Sequence, residues 1–283
     1  MENTRPAFPS RDYGGGGESL HFLHANGYPP ACYLPLLNLL ETRYHVFGMY
    51  LRPLWDGSDP KALVDWKPLS DDLNCFLSDK GSVIAVGHSI GAIVSLRAAI
   101  QSPQNFRALV LIEPVLFPPL FILEWRLIKA LGMGYKTHPL ISSAQKRRRK
   151  FDDLNVLYNA YRRKEIFRYI NDENLRVAIN GMTKPLPDSG YELAYSPEWE
   201  IQIYYTGVAA DSDIWRELPK LRLPLLIIRG AETDTFSPST ATRIKKILPS
   251  AQVVTIDKST HLVPLERPDE VSKIIFEFLE KLQ

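Results

Sequence analysis

The sequence has few cysteines, little net charge and no long apolar run. Its 283 residues include two cysteines, Cys32 and Cys75, so a disulfide framework is not implied and a reducing compartment is expected. Lys and Arg number 34 against 32 Asp and Glu, and this net charge of +2 gives no reason to expect nucleic acid as a partner. The apolar stretches are shorter than a membrane span and are interrupted by proline or charge.

The N-terminal residues 1–13 are polar and lack the basic-then-apolar pattern of a signal peptide. Together these absences predict a cytoplasmic protein with no membrane span and no nucleic-acid partner. We expect its partner to be a small-molecule substrate. The sequence predicts no oligomeric state.

What is present is an ordinary globular composition, 45% hydrophobic and 23% charged, in which short apolar runs alternate with helical patterns. The runs are continuous, as in strands covered on both faces of a parallel sheet. The predicted strands are Leu20–Ala25, Tyr44–Leu51, Ser82–Val86, Ala108–Ile112, Leu225–Ile228 and Gln252–Ile256. The predicted helices are Tyr33–Glu41, Ile90–Gln101, Thr240–Leu248 and a last helix that begins near Pro268. This alternation predicts an α/β fold with a doubly wound, mostly parallel sheet.

The alternation stops between Phe117 and Thr206, where the pattern is helical and aromatic residues are frequent. We interpret this stretch as a helical cap inserted between two strands of the sheet. Residues 1–116 and 207–283 would then form the core, and residues 117–206 the cap.

The strongest local motif is Gly-His-Ser-Ile-Gly at residues 87–91, between an apolar strand and a helix. A serine on a sharp strand-to-helix turn projects its hydroxyl above the sheet, and small neighbours let strand and helix pass closely. The backbone N–H of Ile90 would face a developing oxyanion. The alternative is a plain tight turn with a solvent-facing serine. Placement between this strand and this helix favours Ser89 as a nucleophile.

A serine hydroxyl needs a base to react at neutral pH, and the chain has six histidines. His261 follows a strand-like run and precedes the last helix, so its loop can return over the carboxyl edge of the sheet. The alternative is an exposed loop histidine. His88 lies beside Ser89 on the wrong side of the turn, and His24 is expected to be a hydrogen-bonded structural residue. His261 is therefore the predicted base.

The third member of such a site is an acid that fixes the imidazole tautomer. Asp234, just past the strand Leu225–Ile228, is the predicted acid because it gives the chain order Ser, Asp, His. Glu232 lies two residues earlier and could be confused with it. Glu113 ends the strand before the cap and is the alternative acid; its other interpretation is a strand-end residue that caps a turn.

An oxyanion hole needs a second N–H donor, normally from the loop after an early strand. Here that loop is His-Ala-Asn-Gly-Tyr-Pro at residues 24–29, a tight turn that would expose backbone amides. The alternative is a plain turn, since Asn-Gly is a common turn pair.

These four motifs, in this order, resemble the α/β-hydrolase superfamily, in particular its capped single-domain members that include carboxylesterases and C–C bond hydrolases. The resemblance covers nearly the whole chain from Leu20 onward. It implies an eight-stranded, mostly parallel sheet, a triad of Ser89, Asp234 and His261, a helical cap over the site, and no cofactor or metal. Serine at position 89 argues against the related haloalkane dehalogenases and epoxide hydrolases, which place aspartate there.

Two departures from the family pattern matter. The usual His-Gly-x-Pro is replaced by the sequence at residues 24–29, so the second oxyanion donor is the amide of Asn26 or of Tyr28. Only about nineteen residues precede the first predicted strand, so the family's opening antiparallel hairpin is expected to be shortened or missing.

The predicted function is a serine esterase that cleaves a carboxylic ester, or a related acyl bond, of a small-to-medium apolar substrate through an acyl-enzyme. The aromatic cap suggests an apolar or aryl-bearing substrate, although such side chains more commonly pack the cap itself. The basic run at residues 146–150 could attract an anionic group, or could be a solvated helix face. The alternatives are a C–C hydrolase, thioesterase or lactonase with the same triad, and a non-catalytic ligand-binding receptor.

Overall fold

The computed structural model describes residues 8–208 and 211–282. Its strands are β1 (Ser10–Gly14), β2 (Ser19–Leu23), β3 (His45–Met49), β4 (Val83–His88), β5 (Phe106–Ile112), β6 (Lys150–Phe151), β7 (Thr183–Pro185), β8 (Tyr191–Leu193), β9 (Leu225–Gly230) and β10 (Gln252–Ile256). Its α-helices are α1 (Leu34–Leu40), α2 (Lys67–Leu77), α3 (Ile90–Gln101), α4 (Pro119–Ala130), α5 (Gly134–Thr137), α6 (Pro139–Gln145), α7 (Leu154–Arg162), α8 (Asp172–Met182), α9 (Pro197–Thr206), α10 (Ser212–Glu217), α11 (Pro238–Ile247), α12 (Val263–Glu266) and α13 (Pro268–Glu280). Short 3₁₀ helices occur at Pro30–Tyr33, Arg52–Leu54, Pro60–Ala62, Pro103–Asn105, Glu165–Phe167 and Leu218–Lys220.

The main sheet has the strand order β1-β3-β2-β4-β5-β9-β10. Its strands are parallel except β1, which pairs antiparallel with β3. All six predicted strands are present, which confirms the mostly parallel α/β sheet. The order also places β2, β4, β5 and β9 side by side, so the loops that leave their carboxyl ends meet at one edge of the sheet.

Helices cover both faces of the sheet. Successive side chains of a strand point to opposite faces, so each inner strand contributes to two buried clusters. Val83 and Ala85 of β4 belong to one buried cluster together with α2 and α3. Ile84 and Val86 of the same strand belong to a second cluster together with α1 and α13. This two-sided burial explains why the strands appear in the sequence as continuous apolar runs.

The strand count differs from the expected eight, since the main sheet has seven strands within residues 8–208 and 211–282. The expected shortening of the opening hairpin takes the form of one antiparallel strand, β1, at the sheet edge. Its side chains are mostly exposed, so it carries no apolar run that the sequence could have revealed.

Residues 117–206 contribute helices α4–α9 and a separate three-stranded sheet of order β6-β8-β7, but no strand of the main sheet. Helix α8 packs closely on the turn after β2, where a Cβ added to Gly181 would lie 2.4 Å from the Cys32 nitrogen. Trp199 and Ile203 of α9 are buried in the same cluster as α2 and α3. This segment therefore packs against the loops at the carboxyl edge. No helix in the described ranges is long and apolar enough to cross a membrane.

Candidate active site

Ser89 occupies the turn between β4 and α3 in a backbone conformation, φ 57° and ψ −118°, that non-glycine residues rarely adopt. The glycines on either side permit this turn. A Cβ added to Gly87 would lie 2.5 Å from the Gly91 oxygen, and one added to Gly91 would lie 2.2 Å from the Leu23 oxygen. The Ser89 N–H donates to the Ile112 carbonyl at 3.0 Å, which ties the turn to the neighbouring strand.

The His261 imidazole lies directly beside this serine. Its Nε2 is 3.0 Å from Ser89 Oγ, and its side chain is 19% exposed. The loop that carries His261 is fixed by Glu266, whose carboxylate accepts from both the N–H and the hydroxyl of Thr260, each at 2.7 Å. Burial raises the pKa of Glu266, and the two hydrogen bonds from Thr260 oppose that rise.

The acid beside the imidazole is Glu113. Its Oε2 lies 3.1 Å from His261 Nδ1, and its side chain has no exposed surface. Glu113 follows β5 with φ 48°, and its carboxylate also accepts from the Gly230 N–H at 2.7 Å and from Thr233 Oγ1 at 2.5 Å. Three donors thus compensate the cost of burying this carboxylate.

The structure corrects the position predicted for the acid, because Asp234 does not lie against His261. Asp234 is exposed and accepts a hydrogen bond from Thr235 Oγ1 at 3.1 Å. Glu232 is also exposed and instead binds Arg168 and Tyr169. The last residue of β9, Gly230, and Thr233 of the following loop therefore direct a backbone N–H and a hydroxyl toward the site, where the prediction expected a carboxylate.

The hydrogen bonds fix the roles of the two ring nitrogens of His261. A carboxylate oxygen can only accept, so Nδ1 carries the proton that is donated to Glu113. Nε2 is then free to accept the proton of the Ser89 hydroxyl. This is the tautomer that a general base beside a serine requires.

A buried chain of hydrogen bonds behind the site includes His88. The carbonyl of His261 can only accept, so His88 Nε2 donates to it at 2.8 Å, and His88 Nδ1 accepts from the Tyr33 hydroxyl at 2.8 Å. The Tyr33 oxygen in turn accepts the N–H of Ala25 at 3.3 Å. Burial, and next the proximity of His261, lowers the pKa of His88 well below its usual range, as this neutral tautomer requires.

The sequence does not predict this series of hydrogen bonds: it excludes His88 as the base and places Tyr33 in a helix. Its position next to Ser89 is the one local signal that His88 offers. His24 is the structural residue that was predicted, since Nδ1 donates to the Ala25 carbonyl at 2.9 Å and Nε2 accepts from the Leu51 N–H at 3.1 Å.

The oxyanion donors were predicted as the N–H of Ile90 and one amide of the 24–29 loop. Ile90 is the first residue of α3, so its N–H has no acceptor within the helix. In the loop, the Tyr28 N–H already donates to the Ala25 carbonyl at 3.4 Å, which leaves Asn26 as the better candidate. The Asn26 side chain is held by a 3.2 Å bond from Nδ2 to the Glu200 carbonyl. Among the described residues, no group of three His, Cys, Asp or Glu could hold a metal.

The doubly wound sheet, with a serine on the β4–α3 turn and a histidine and an acid from later loops at the same edge, defines an α/β-hydrolase fold. A family model described as the alpha/beta hydrolase family matches residues 22–274, and the chain belongs to that family. This membership identifies the protein as a hydrolase.

Similar proteins agree with this class. A 2-(acetamidomethylene)succinate hydrolase from Mesorhizobium japonicum is 23% identical over 270 residues, which cover 94% of this chain and 89% of the relative. An uncharacterized hydrolase, YugF of Bacillus subtilis, is 23% identical over 87% of this chain and 84% of its own length. The crystal structure of an E-2-(acetamidomethylene)succinate hydrolase superposes with a TM-score of 0.75 at 21% identity, over 97% of this chain and all of that one.

Proposed function

We propose that the protein is a serine hydrolase that cleaves a carboxylic ester through an acyl-enzyme. In this proposal Ser89 is the nucleophile, His261 the general base and Glu113 the acid that orients it. The observation that carries the proposal is the continuous line of hydrogen bonds from Ser89 Oγ through both ring nitrogens of His261 to Glu113.

The proposed reaction has two steps. In the first, His261 takes the Ser89 proton while Oγ attacks the carbonyl carbon, and the oxyanion accepts from the amides of Ile90 and Asn26. The intermediate collapses, the bond to the leaving oxygen breaks, and that oxygen receives the proton from His261. In the second step, water loses a proton to His261 as it attacks the acyl-enzyme, and the acid is released as Ser89 recovers its proton.

We also propose that residues 117–206 act as the cap that selects the substrate, with residues 1–116 and 207–283 as the catalytic core. The close packing of α8 on the turn after β2 supports this division. Six aromatic side chains of this segment are buried, among them Trp125, Phe151 and Trp199. This burial favours the interpretation that these side chains pack the segment itself.

The test is hydrolysis of p-nitrophenyl acetate and butyrate by wild type and Ser89→Ala. Removing the nucleophile of such a unit should lower kcat by about four to six orders of magnitude. Ser78→Ala, at an exposed serine outside the site, is the matched control and should keep full activity. Wild-type turnover by Ser89→Ala would contradict the assignment.

A fluorophosphonate probe separates this proposal from a non-catalytic receptor. It should label wild type and not Ser89→Ala, whatever the natural substrate is, because it reports only an activated serine. No labelling of wild type would favour the receptor.

A second candidate keeps the same three residues for another bond. The similarity to a 2-(acetamidomethylene)succinate hydrolase over most of both chains favours it. That compound therefore joins thioesters, lactones and vinylogous diketones in the substrate panel. The bond is identified by the substrate that gives the highest kcat/KM with wild type and loses this activity in Ser89→Ala.

A further inference from the structure

A cavity of about 430 Å³ lies within the 117–206 segment and is lined by several cationic side chains. Four of its lining residues are cationic, and its lining, which falls wholly in the described ranges, contains no carboxylate. The cations are Lys146, Arg147, Arg148 and Lys164. Other lining residues are apolar or aromatic, among them Phe151, Leu157 and Tyr161. Such a cavity suits a ligand with an apolar body and an anionic end.

Neighbouring acids compensate only part of this positive charge. Arg147 pairs with the buried Glu200 at 2.5 Å, and Arg148 lies 3.5 Å from the fully exposed Asp152. Within residues 8–208 and 211–282, neither Lys146 nor Lys164 has a carboxylate within ion-pair distance. The four cations at the cavity therefore have two neighbouring carboxylates, Glu200 and Asp152, and the remaining positive charge would attract an anion.

Two of these cations lie over aromatic rings that also line the cavity. Lys164 Nζ lies 4.5 Å from the centre of the Tyr161 ring, and the Arg148 guanidinium lies 5.3 Å from that of Phe151. Partial burial, and next the proximity of Arg147, lowers the pKa of Lys164, and the nearby Glu200 opposes this lowering. A bound anion would, like Glu200, favour the charged form of Lys164.

One lining residue of the cavity, Arg147, lies beside the loop proposed for the oxyanion hole. A Cβ added to Gly27 would lie 3.6 Å from both Arg147 Nη1 and Glu200 Cδ. The Glu200 carbonyl also accepts from Asn26 Nδ2. Arg147 and its partner Glu200, which is not itself a lining residue, thus connect the cavity to that loop. A substrate could place its carbonyl at Ser89 and its distal end among the cations.

We propose that this cavity binds the terminal carboxylate of an otherwise apolar acyl chain, with Lys146 and Lys164 as its ion-pair partners. The inference rests on the proposed hydrolase function and specifies its substrate class as carboxylate-terminated acyl compounds.

The test compares mono-p-nitrophenyl esters of adipic, suberic and sebacic acids with p-nitrophenyl hexanoate, octanoate and decanoate. For at least one chain length, kcat/KM should be about tenfold or more higher for the acidic ester, and the preference should fall as salt is added. Lys164→Gln should remove most of this preference through KM, and adding Lys146→Gln should remove the rest. Lys136→Gln is the matched control, since Lys136 is an exposed lysine of the same segment outside the cavity.

A binding measurement makes the outcome independent of turnover. Free suberate should raise the Tm of wild type and of Lys136→Gln, but not that of the Lys146→Gln/Lys164→Gln variant. Octanoate, which lacks the second carboxylate, should raise the Tm of all three proteins equally or not at all. Hydrolysis of both ester series with no charge preference, and no effect of either lysine substitution, would overturn the inference and leave the hydrolase proposal intact. Lysine-dependent stabilisation by suberate without hydrolysis of any ester would support the anion site and contradict the esterase. Neither hydrolysis nor stabilisation would overturn both.

Discussion

Replacing Glu113 by glutamine changes one atom of a fully buried side chain and tests which acid orients His261. The carboxylate accepts from Gly230 on Oε1, and from Thr233 and His261 on Oε2. The glutamine oxygen can keep the bond from Gly230, which places the amide NH₂ where Oε2 was. That NH₂ is a donor and faces His261 Nδ1.

The imidazole can accept this hydrogen bond only if its own proton moves to Nε2. Nε2 is 3.0 Å from Ser89 Oγ and, once protonated, can no longer accept the serine proton. A wrong tautomer of this kind lowers kcat by about 10⁴-fold where a buried triad acid is replaced by its amide. This is about 5 kcal/mol of lost transition-state stabilisation. Because the substitution is isosteric and the Thr233 hydroxyl can rotate to accept, we expect a change in Tm of only a few degrees.

The assay is kcat on the best ester of the panel, together with the rate of fluorophosphonate labelling, on protein shown by circular dichroism to be folded. Asp234→Asn is the matched control. We expect it to keep kcat within about twofold of wild type, because a solvent-exposed substitution away from the reacting groups has little effect. A loss of several orders of magnitude in Asp234→Asn, with Glu113→Gln close to wild type, would refute the reasoning.

Two further predictions concern the residues around the site and in the sheet. Tyr33→Phe removes the hydroxyl that joins the Ala25 N–H to His88. We expect the free energy of unfolding in urea to fall by about 2 kcal/mol and kcat to fall several-fold. Unchanged values would mean that these hydrogen bonds do not position the residues of the site. His21 is fully buried, and burial lowers its pKa from 6.5 to about 3, so below pH 6.5 the unfolded chain binds a proton that the folded chain does not. Its contribution to stability is therefore complete above pH 6.5 and is lost as the pH falls toward 3, by about 2 kcal/mol at pH 5. In urea titrations at pH 7 and pH 5, His21→Gln should show a smaller acid loss than wild type, and an equal loss would contradict the assignment.

The parts of the molecule that the sequence predicted are those in which local pattern and burial coincide. Strand β4 is buried along its whole length, so its continuous apolar run was unambiguous. The Ser89 turn was equally clear, because the glycines at 87 and 91 are required by contacts with main-chain atoms nearby. Strand β1 gave no such signal, since as an exposed edge strand it has no apolar face to reveal it.

The identity of the acid depends on contacts between distant parts of the chain. Ile112 pairs with Ile228, so β5 and β9 end side by side and a carboxylate after either strand is near the imidazole. Chain order therefore could not distinguish Glu113 from Asp234.

The deciding interactions come from elsewhere in the fold. Glu113 has a positive φ, and its carboxylate accepts from Gly230 at the end of β9 and from Thr233 in the loop that follows. The exposed Glu232 of that loop binds Arg168 and Tyr169 of the 117–206 segment. Thr233 donates to Glu113 and Glu232 is bound by that segment, and in this arrangement Asp234 between them and the next helix is exposed to solvent. Which carboxylate lies beside the imidazole thus depends on the donors that a buried carboxylate requires, and these donors are more than 100 residues away from Glu113 in the sequence.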